Sequence, residues 1–282
     1  MNTVAFIGLG MMGFPMASRI VDHGYHLLVE DVNESIVDEF LEKNSNANKL
    51  DANNIAKADF VITMLPNSKI VNQVVLDKYL EHISLGSTLI DMSSSEPIES
   101  KSLAKKVLSK NVYMLDAPVS GGQKKALSGE LSIIVGGEEK VFEKSRNLLS
   151  VMGSPIHVGL IGSGHALKAL NNYVSAAGLL AVVEALHVGK EFGIDPNIMT
   201  DVFNSSTGMN NTTKNKVKQY MLNSAFDSNF SLALMAKDLG IAIELGENLG
   251  HPMKFGTVCK VICQEASANT PEADHTEMYR LM

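Results

Sequence analysis

The chain has 282 residues, 45% of them hydrophobic and 20% charged, with a net charge of −7. That length suits two domains with a sizeable core in each, and the apolar share excludes an intrinsically disordered chain. With 24 basic residues against 31 acidic ones, no surplus of positive charge meets phosphates, and two cysteines cannot build a disulfide framework. A nucleic-acid partner is therefore not expected, and a reducing cytoplasm is. Met1-Asn2-Thr3 runs straight into apolar Val4–Ile7 with no basic stretch before it, so no targeting segment is expected. The longest uncharged apolar run lies around Val174 to Val183, short for a bilayer, so no membrane span is expected either.

Taken in chain order, the first half alternates short apolar runs with amphipathic ones. Val4 to Ile7 reads as a strand, and a helix follows it to about His23, where Gly24 stands as a left-handed cap. Leu27-Leu28-Val29 is the next strand; a polar, Asn-rich helical stretch separates it from Phe60 to Leu65. Further strands are expected at Thr88 to Ile90, Val112 to Leu115 and Ile133 to Val135. Fully apolar strands followed by helical patterns predict an α/β domain built on a doubly wound parallel sheet covered on both faces. From Gly164 to about Glu191 a helical pattern of roughly 40 Å carries a single charge, Lys168, between Ala166 and Val183. A helix apolar all round is buried on most sides, so it predicts the spine of a second, all-helical domain. Gly193 and then Asp195-Pro196 end it and start the next helix, and helical patterns continue over roughly 210–222, 231–249 and 253–268. The expected boundary lies in Gly162-Ser163-Gly164, giving a dinucleotide-binding domain over 1–162 and a helical domain over 163–282.

Gly8-Leu9-Gly10-Met11-Met12-Gly13 fits G-x-G-x-x-G between a strand and a helix, where the pattern has a physical meaning. The first glycine permits a tight turn, the second lets backbone approach a pyrophosphate, and the third lets helix and strand pack closely. Asp31 ends the second strand, where a carboxylate accepts hydrogen bonds from adenosine ribose hydroxyls and repels a 2′-phosphate. No Arg or Lys stands in Asp31-Val32-Asn33, so NAD is expected before NADP. Met64-Leu65-Pro66 and Asp91-Met92-Ser93-Ser94-Ser95 end the third and fourth strands, the edge where open parallel sheets bind ligands. A proline or serine after a strand is also ordinary turn material.

A dehydrogenase needs a group that exchanges a proton with the carbinol oxygen. The sequence holds no His-x-x-x-His pair and no cysteine cluster, so no metal is expected; Cys259 and Cys263, one helical turn apart, suit two small buried residues. Histidines 157, 165 and 187 each read as buried and satisfied. Lys168 has Asn171 and Asn172 on its own helix face, and burial would lower an ammonium from its usual 10.4 or so toward working pH. The same spacing also suits a lysine whose head reaches solvent at the helix start. Ser120-Gly121-Gly122 offers successive amides as a carboxylate-binding concavity, or a plain glycine turn. Lys237-Asp238 by itself reads as a surface charge pair.

Four ordered motifs, GLGMMGFPMA from Gly8, DAPVSGG from Asp116, GSGHALKALNN from Gly162 and KDL from Lys237, resemble those of the β-hydroxyacid dehydrogenase family over essentially the whole chain. The family includes the 3-hydroxyisobutyrate and tartronate semialdehyde (2-hydroxy-3-oxopropionate) enzymes. The resemblance implies a nicotinamide-dependent oxidoreductase with a Rossmann-type domain joined through one long helix to an all-helical substrate and dimerisation domain. It implies Lys168 as the catalytic lysine and Asn172 as the amide beside it, with Ser120, Gly121 and Gly122 holding the substrate carboxylate and Asn171 near it. Leu65, Pro66, Ser95 and Lys237 correspond to cofactor-lining positions, with Asp238 as neighbour, and a homodimer or homotetramer is implied. Gln123-Lys124-Lys125-Ala126 and Ala273-Asp274-His275 look closer to the tartronate semialdehyde branch. Met209-Asn210-Asn211 replaces the arginine that often follows Ser-Ser-Gly in the 3-hydroxyisobutyrate branch. Rival readings are a non-catalytic dinucleotide sensor, a succinate semialdehyde reductase, and a decarboxylating enzyme of the phosphogluconate type. The last typically has a histidine where Asn171 stands.

Overall fold

The computed structural model describes residues 2–268, 270 and 272–282. The chain divides into two compact units, Met1–Lys168 and Ala169–Met282. In the first, β1 (Thr3–Ile7), β2 (His26–Glu30), β3 (Ala47–Lys49), β4 (Phe60–Thr63), β5 (Thr88–Asp91) and β6 (Tyr113–Asp116) lie in the spatial order β3-β2-β1-β4-β5-β6, every pair parallel. Helices α1 (Gly13–Asp22), α2 (Glu34–Lys43), α3 (Ser68–Gln73) and α4 (Pro97–Leu108) connect these strands. Val4 and Phe6 face one core with Met16, Ile20 and Phe40, while Ala5 and Ile7 face the other with Val71, Tyr79 and Leu103. This is the alternation a strand imposes when both faces are covered.

Two details depart from the sequence expectation. The stretch after α2 is not wholly helical: it turns into the three-residue strand β3, too short for periodicity to reveal. Beyond β6, strand β7 (Val119–Ser120), helix α5 (Gly122–Ser128) and strand β8 (Leu131–Gly136) reverse direction, and β8 pairs antiparallel with both β6 and β7. An apolar strand buried on both faces reads the same in either direction. Helix α6 (Glu139–Met152) then returns the chain to β9 (Gly153–Gly159), parallel to β8.

Helix α7 (Ser163–Glu191) is continuous across the division between the units. Its 29 residues, with a window of mean hydropathy 1.3, are long and apolar enough to cross a bilayer by length and composition, a test that a core helix passes as well. In the second unit it buries Ala176, Leu179, Val183 and Leu186 against Met199, Val217, Leu239 and Met278. Gly193, at φ +96°, reverses the chain, and Asp195 caps α8 (Pro196–Asn204) by accepting from the Asn197 amide at 2.8 Å. The helical expectation over 210–222 breaks in two, α9 (Asn211–Asn215) and a π-type turn over Val217–Met221. Between them Lys216 leaves helical geometry, in a run rich in Asn and β-branched residues that favour caps over helix interiors. Helices α10 (Leu232–Asn248), α11 (Lys254–Ser267) and α12 (Met278–Leu281) complete the unit. Cys259 and Cys263 are free and buried in its core, where burial pushes the Cys263 thiol up to about 12.

A buried polar cluster in this unit holds three titratable groups away from their usual ranges. Burial, reinforced by the Lys216 ammonium, pushes the His275 imidazole down to about 4 from 6.5. Burial likewise pushes Lys216 down to about 8. Against the upward pull of burial, hydrogen bonds from Thr276 and Ser228 hold Asp274 below the usual carboxylate range. An imidazole that stays neutral when folded but protonates when unfolded makes folding less favourable as pH falls from 6.5 to about 4. Between pH 7 and pH 5, His275 is expected to remove roughly 2 kcal/mol of stability. Thermal unfolding of His275→Gln at the two pH values should show a shallower loss than the parent; equal losses would contradict the assignment.

Candidate active site

The turn after β1 explains each of its glycines. Gly8 takes φ +102°, and a Cβ there would lie 2.3 Å from the Met64 carbonyl oxygen. A Cβ on Gly13 would lie 1.9 Å from the Gly8 carbonyl, so only glycine lets α1 start this close to β1. Gly10 differs: a Cβ would meet nothing within 4 Å. The space beside Gly10 at the start of α1 is open, as a cradle for an anion at a helix N-terminus requires. Gly10→Ala is expected to leave the thermal midpoint unchanged or slightly higher, because a glycine without positive φ gains by losing unfolded freedom. NADH affinity should nonetheless fall at least ~10-fold, as expected if the pyrophosphate lies where that methyl group would project. Titration of NADH by fluorescence checks this, and unchanged affinity would mean that the cradle is not the site.

Asp31 is fixed beside the cradle. Its Oδ2 accepts from the Leu9 amide at 2.6 Å and its Oδ1 from the Asn33 amide at 2.9 Å. A carboxylate offers about four acceptor positions, so lone pairs remain for ribose hydroxyls. Lys49 pairs with Glu34, and Lys78 with Glu30, so these cations already have partners at this edge. Met11 is exposed and Met12 half-buried above α1.

The loops after β4 and β5 are tied into one polar floor. The Leu65 amide donates to Ser93 Oγ at 2.9 Å, next to half-buried Met64 and exposed Pro66. Asp91, 1% exposed, accepts from Thr63 Oγ1 at 2.9 Å, the Ser93 amide at 3.1 Å and Ser95 Oγ at 2.6 Å. Ser95 is itself buried, its hydroxyl engaged by that carboxylate. The serine facing the long helix is Ser94: Lys168 Nζ, half-buried, donates to Ser94 Oγ at 2.7 Å. The hydroxyls of three consecutive serines thus have three different partners, which nothing in their sequence distinguishes.

Helix α7 starts on Asp116, the first residue of the DAPVSGG motif. This fully buried carboxylate accepts from the Gly162 amide at 2.7 Å and the His165 amide at 2.7 Å, capping the helix from another strand. Burial raises its pKa, while His165 and those two amides pull against that rise. Ser120 is half-buried at the end of β7; Gly121 and Gly122, at φ +135° and +69°, are exposed where α5 begins. A chain reversal through positive φ presents consecutive amides to one side, which suits an anion.

In the second unit Asn172 Nδ2 donates to Asp238 Oδ2 at 2.6 Å, and Asn171 Nδ2 to Asn172 Oδ1 at 3.2 Å. Lys237 Nζ lies 3.7 Å from Asp238 Oδ1, so Lys237, Asp238 and Asn172 form a chain of polar contacts. Among the described residues, no three His, Cys, Asp or Glu side chains gather as a metal site. Sequence reasoning singled out neither Asp116, Asp91 nor Ser94 individually; the only hint was a carboxylate ending each of two apolar strands.

Two family models match the chain. One, described as the NAD binding domain of 6-phosphogluconate dehydrogenase, covers residues 3–173. The other, described as NAD-binding of NADP-dependent 3-hydroxyisobutyrate dehydrogenase, covers 162–282. The chain is 37% identical over 270 residues to mitochondrial 3-hydroxyisobutyrate dehydrogenase of Rattus norvegicus, across 92% of this chain and 80% of the relative. It is 35% identical over 268 residues to 2-(hydroxymethyl)glutarate dehydrogenase of Eubacterium barkeri, across 94% and 89% respectively. The solved structure of Mycobacterium tuberculosis 3-hydroxyisobutyrate dehydrogenase with L-serine matches with a TM-score of 0.94 at 30% identity, over 99% of this chain and 98% of that one.

Proposed function

This chain belongs to the β-hydroxyacid dehydrogenase family, and from that premise we propose that it interconverts a short 3-hydroxyacid and its aldehyde-acid with Lys168 as general acid and base. It is an NAD(P)-dependent oxidoreductase, and NAD is the proposed cofactor. The proposed substrates are of the tartronate semialdehyde or 3-hydroxyisobutyrate type. One observation carries the reading: the half-buried Lys168 amine is held 2.7 Å from Ser94 Oγ on the loop that follows β5.

When bound, the nicotinamide supplies or takes up the hydride. Gly8, Leu9, Gly10, Met11, Met12 and Gly13 would hold its pyrophosphate, Asp31 its ribose, and Met64, Leu65, Pro66 and Ser95 its nicotinamide half. In reduction, the Lys168 ammonium donates a hydrogen bond to the aldehyde oxygen and passes it the proton. In oxidation, the neutral amine removes the hydroxyl proton. Ser94 Oγ accepts an N–H of Lys168 and so aims the remaining ones. The amides of Ser120, Gly121 and Gly122 receive the substrate carboxylate, which fixes the reacting carbon by its far end. The roles of Asn171 and Asn172 toward substrate, and of Lys237 toward the cofactor, rest on the resemblance alone.

The proposed domains are 1–162 for the dinucleotide and 163–282 for substrate and dimerisation. A homodimer or homotetramer built through the second unit is proposed from the family resemblance, and α7, α8 and α11 leave Val174, Val188, Ile198, Val202, Phe255 and Val258 exposed there. Two buried free thiols suit a soluble cytoplasmic enzyme.

A screen of NADH oxidation by the purified protein against small aldehyde-acids tests the reading. Turnover is expected with tartronate or methylmalonate semialdehyde; tight NADH binding with no turnover on any member would replace the enzyme with a sensor. The cofactor assignment has its own test. Asp31→Asn keeps an acceptor for the Leu9 amide but removes the charge, and should erode the NADH-over-NADPH ratio of kcat/KM by about ten-fold. An unchanged ratio would show that Asp31 does not read the ribose.

A further inference from the structure

His165 is buried and serves no step above. It lies one helical turn before Lys168, and its side chain is fully buried. Its Nε2 faces the Ser93 carbonyl oxygen at 3.1 Å, and since a carbonyl only accepts, Nε2 carries a proton and donates. Its Nδ1 lies 2.8 Å from the hydroxyl of Ser100, itself 2% exposed. Two buried carboxylates flank the ring, Asp91 Oδ2 at 3.8 Å from Nε2 and Asp116 Oδ2 at 3.7 Å from Nδ1. Asp116 also receives the His165 backbone amide.

These contacts form one clamp. From a single turn of α7, His165 grips the carbonyl of Ser93 and Lys168 grips the hydroxyl of Ser94. The Ser93–Ser94 peptide is therefore bracketed by two side chains of the same helix. Asp91 holds the other side of that loop through the Ser93 amide and Ser95 Oγ, so the loop stays folded without the histidine. What the histidine adds is the register between loop and helix.

We propose that His165 is a positioning residue for Lys168: by pinning Ser93 to the first turn of α7, it sets where Ser94 holds the lysine amine. This rests on the reading of Lys168 as acid and base. A misplacement of about 1 Å at a reacting group costs on the order of 100-fold, so loosening the clamp lowers turnover rather than cofactor binding.

The test compares His165→Leu, His165→Gln and Ser100→Ala with the parent as full-length enzyme loaded with NADH. Glutamine keeps an amide N–H for the Ser93 carbonyl; leucine does not. His165→Leu is expected to lose about 10- to 100-fold in kcat at near-constant KM for NADH, with His165→Gln restoring most of it and Ser100→Ala intermediate. A second readout needs no turnover: in enzyme without substrate, the rate at which acetic anhydride modifies Lys168, mapped by mass spectrometry, should rise in His165→Leu and Ser100→Ala. Parental kcat and parental labelling in folded His165→Leu would overturn the proposal. If that variant fails to fold, the same null result in Ser100→Ala would overturn it. Should Lys168→Ala retain turnover, the acid–base reading falls, while the labelling rates still decide whether His165 positions the amine.

Discussion

Lys168→Ala should lose at least ~10³-fold in kcat while binding NADH as the parent does. The effect is large because the amine is both the proton donor for reduction and the proton acceptor for oxidation, and the side chains around Ser94 are poorly suited to replace it. Serine hydroxyls neither gain nor give up a proton readily near neutral pH, and Asp91 is already engaged by three hydrogen bonds. Binding should survive because the proposed pyrophosphate cradle and the ribose carboxylate lie on the β1 and β2 loops, not on α7. Steady-state turnover and NADH titration on the same sample separate the two. Normal turnover would remove Lys168 from the chemistry, and lost NADH binding would show that it acts through the fold.

Asp116→Ala should be strongly destabilising, by roughly 2–5 kcal/mol, because it leaves two buried amides without an acceptor. The carboxylate is buried beneath the start of α7, and the amides of Gly162, just before the helix, and His165, in its first turn, depend on it. Its surroundings leave little slack: a Cβ on Gly136 would sit 2.3 Å from Asp116 Oδ1, and one on Gly164 2.7 Å from the Asp116 carbonyl oxygen. Burying a charge is costly, as the raised pKa of Asp116 shows, and the positive end of a 29-residue helix offsets part of that cost. Asp116→Asn separates the contributions, since it discards the charge but keeps one acceptor, and should be milder than alanine. Chemical denaturation measures both. An alanine variant as stable as the parent would mean that α7 does not depend on this cap. Because His165 and Lys168 follow in the next turn, the alanine variant should also lose turnover wherever it remains folded.

Much of this architecture could be read before any coordinates. The strand, glycine turn and helix over 3–22 are legible because Gly8 and Gly13 answer steric demands that no other residue meets, and Gly10 completes the spacing. The long helix is legible because 29 residues of near-continuous helical pattern carry few charges. Other features were hidden for physical reasons. Strands β3 and β7, of three and two residues, are too short to show a period. The direction of β8 leaves no mark on an apolar run. Within the site, Lys168 was conspicuous as a lone charge on an apolar helix, yet its partner was one of three identical serines. Asp116 stood at the head of a motif and His165 read as a buried, satisfied ring, but the partners of both come from strands and helices far apart in sequence, so what they hold was not legible. Only the single polar ring in GSGHALK hinted at the second.

A ternary crystal structure with NAD and a small 3-hydroxyacid checks the assignment of Lys168 as acid and base. It should place the hydroxyl oxygen within about 3.2 Å of Lys168 Nζ, with the carboxylate on the amides of Ser120 to Gly122. A ligand bound with its hydroxyl turned away from that amine, toward any other side chain, would contradict it.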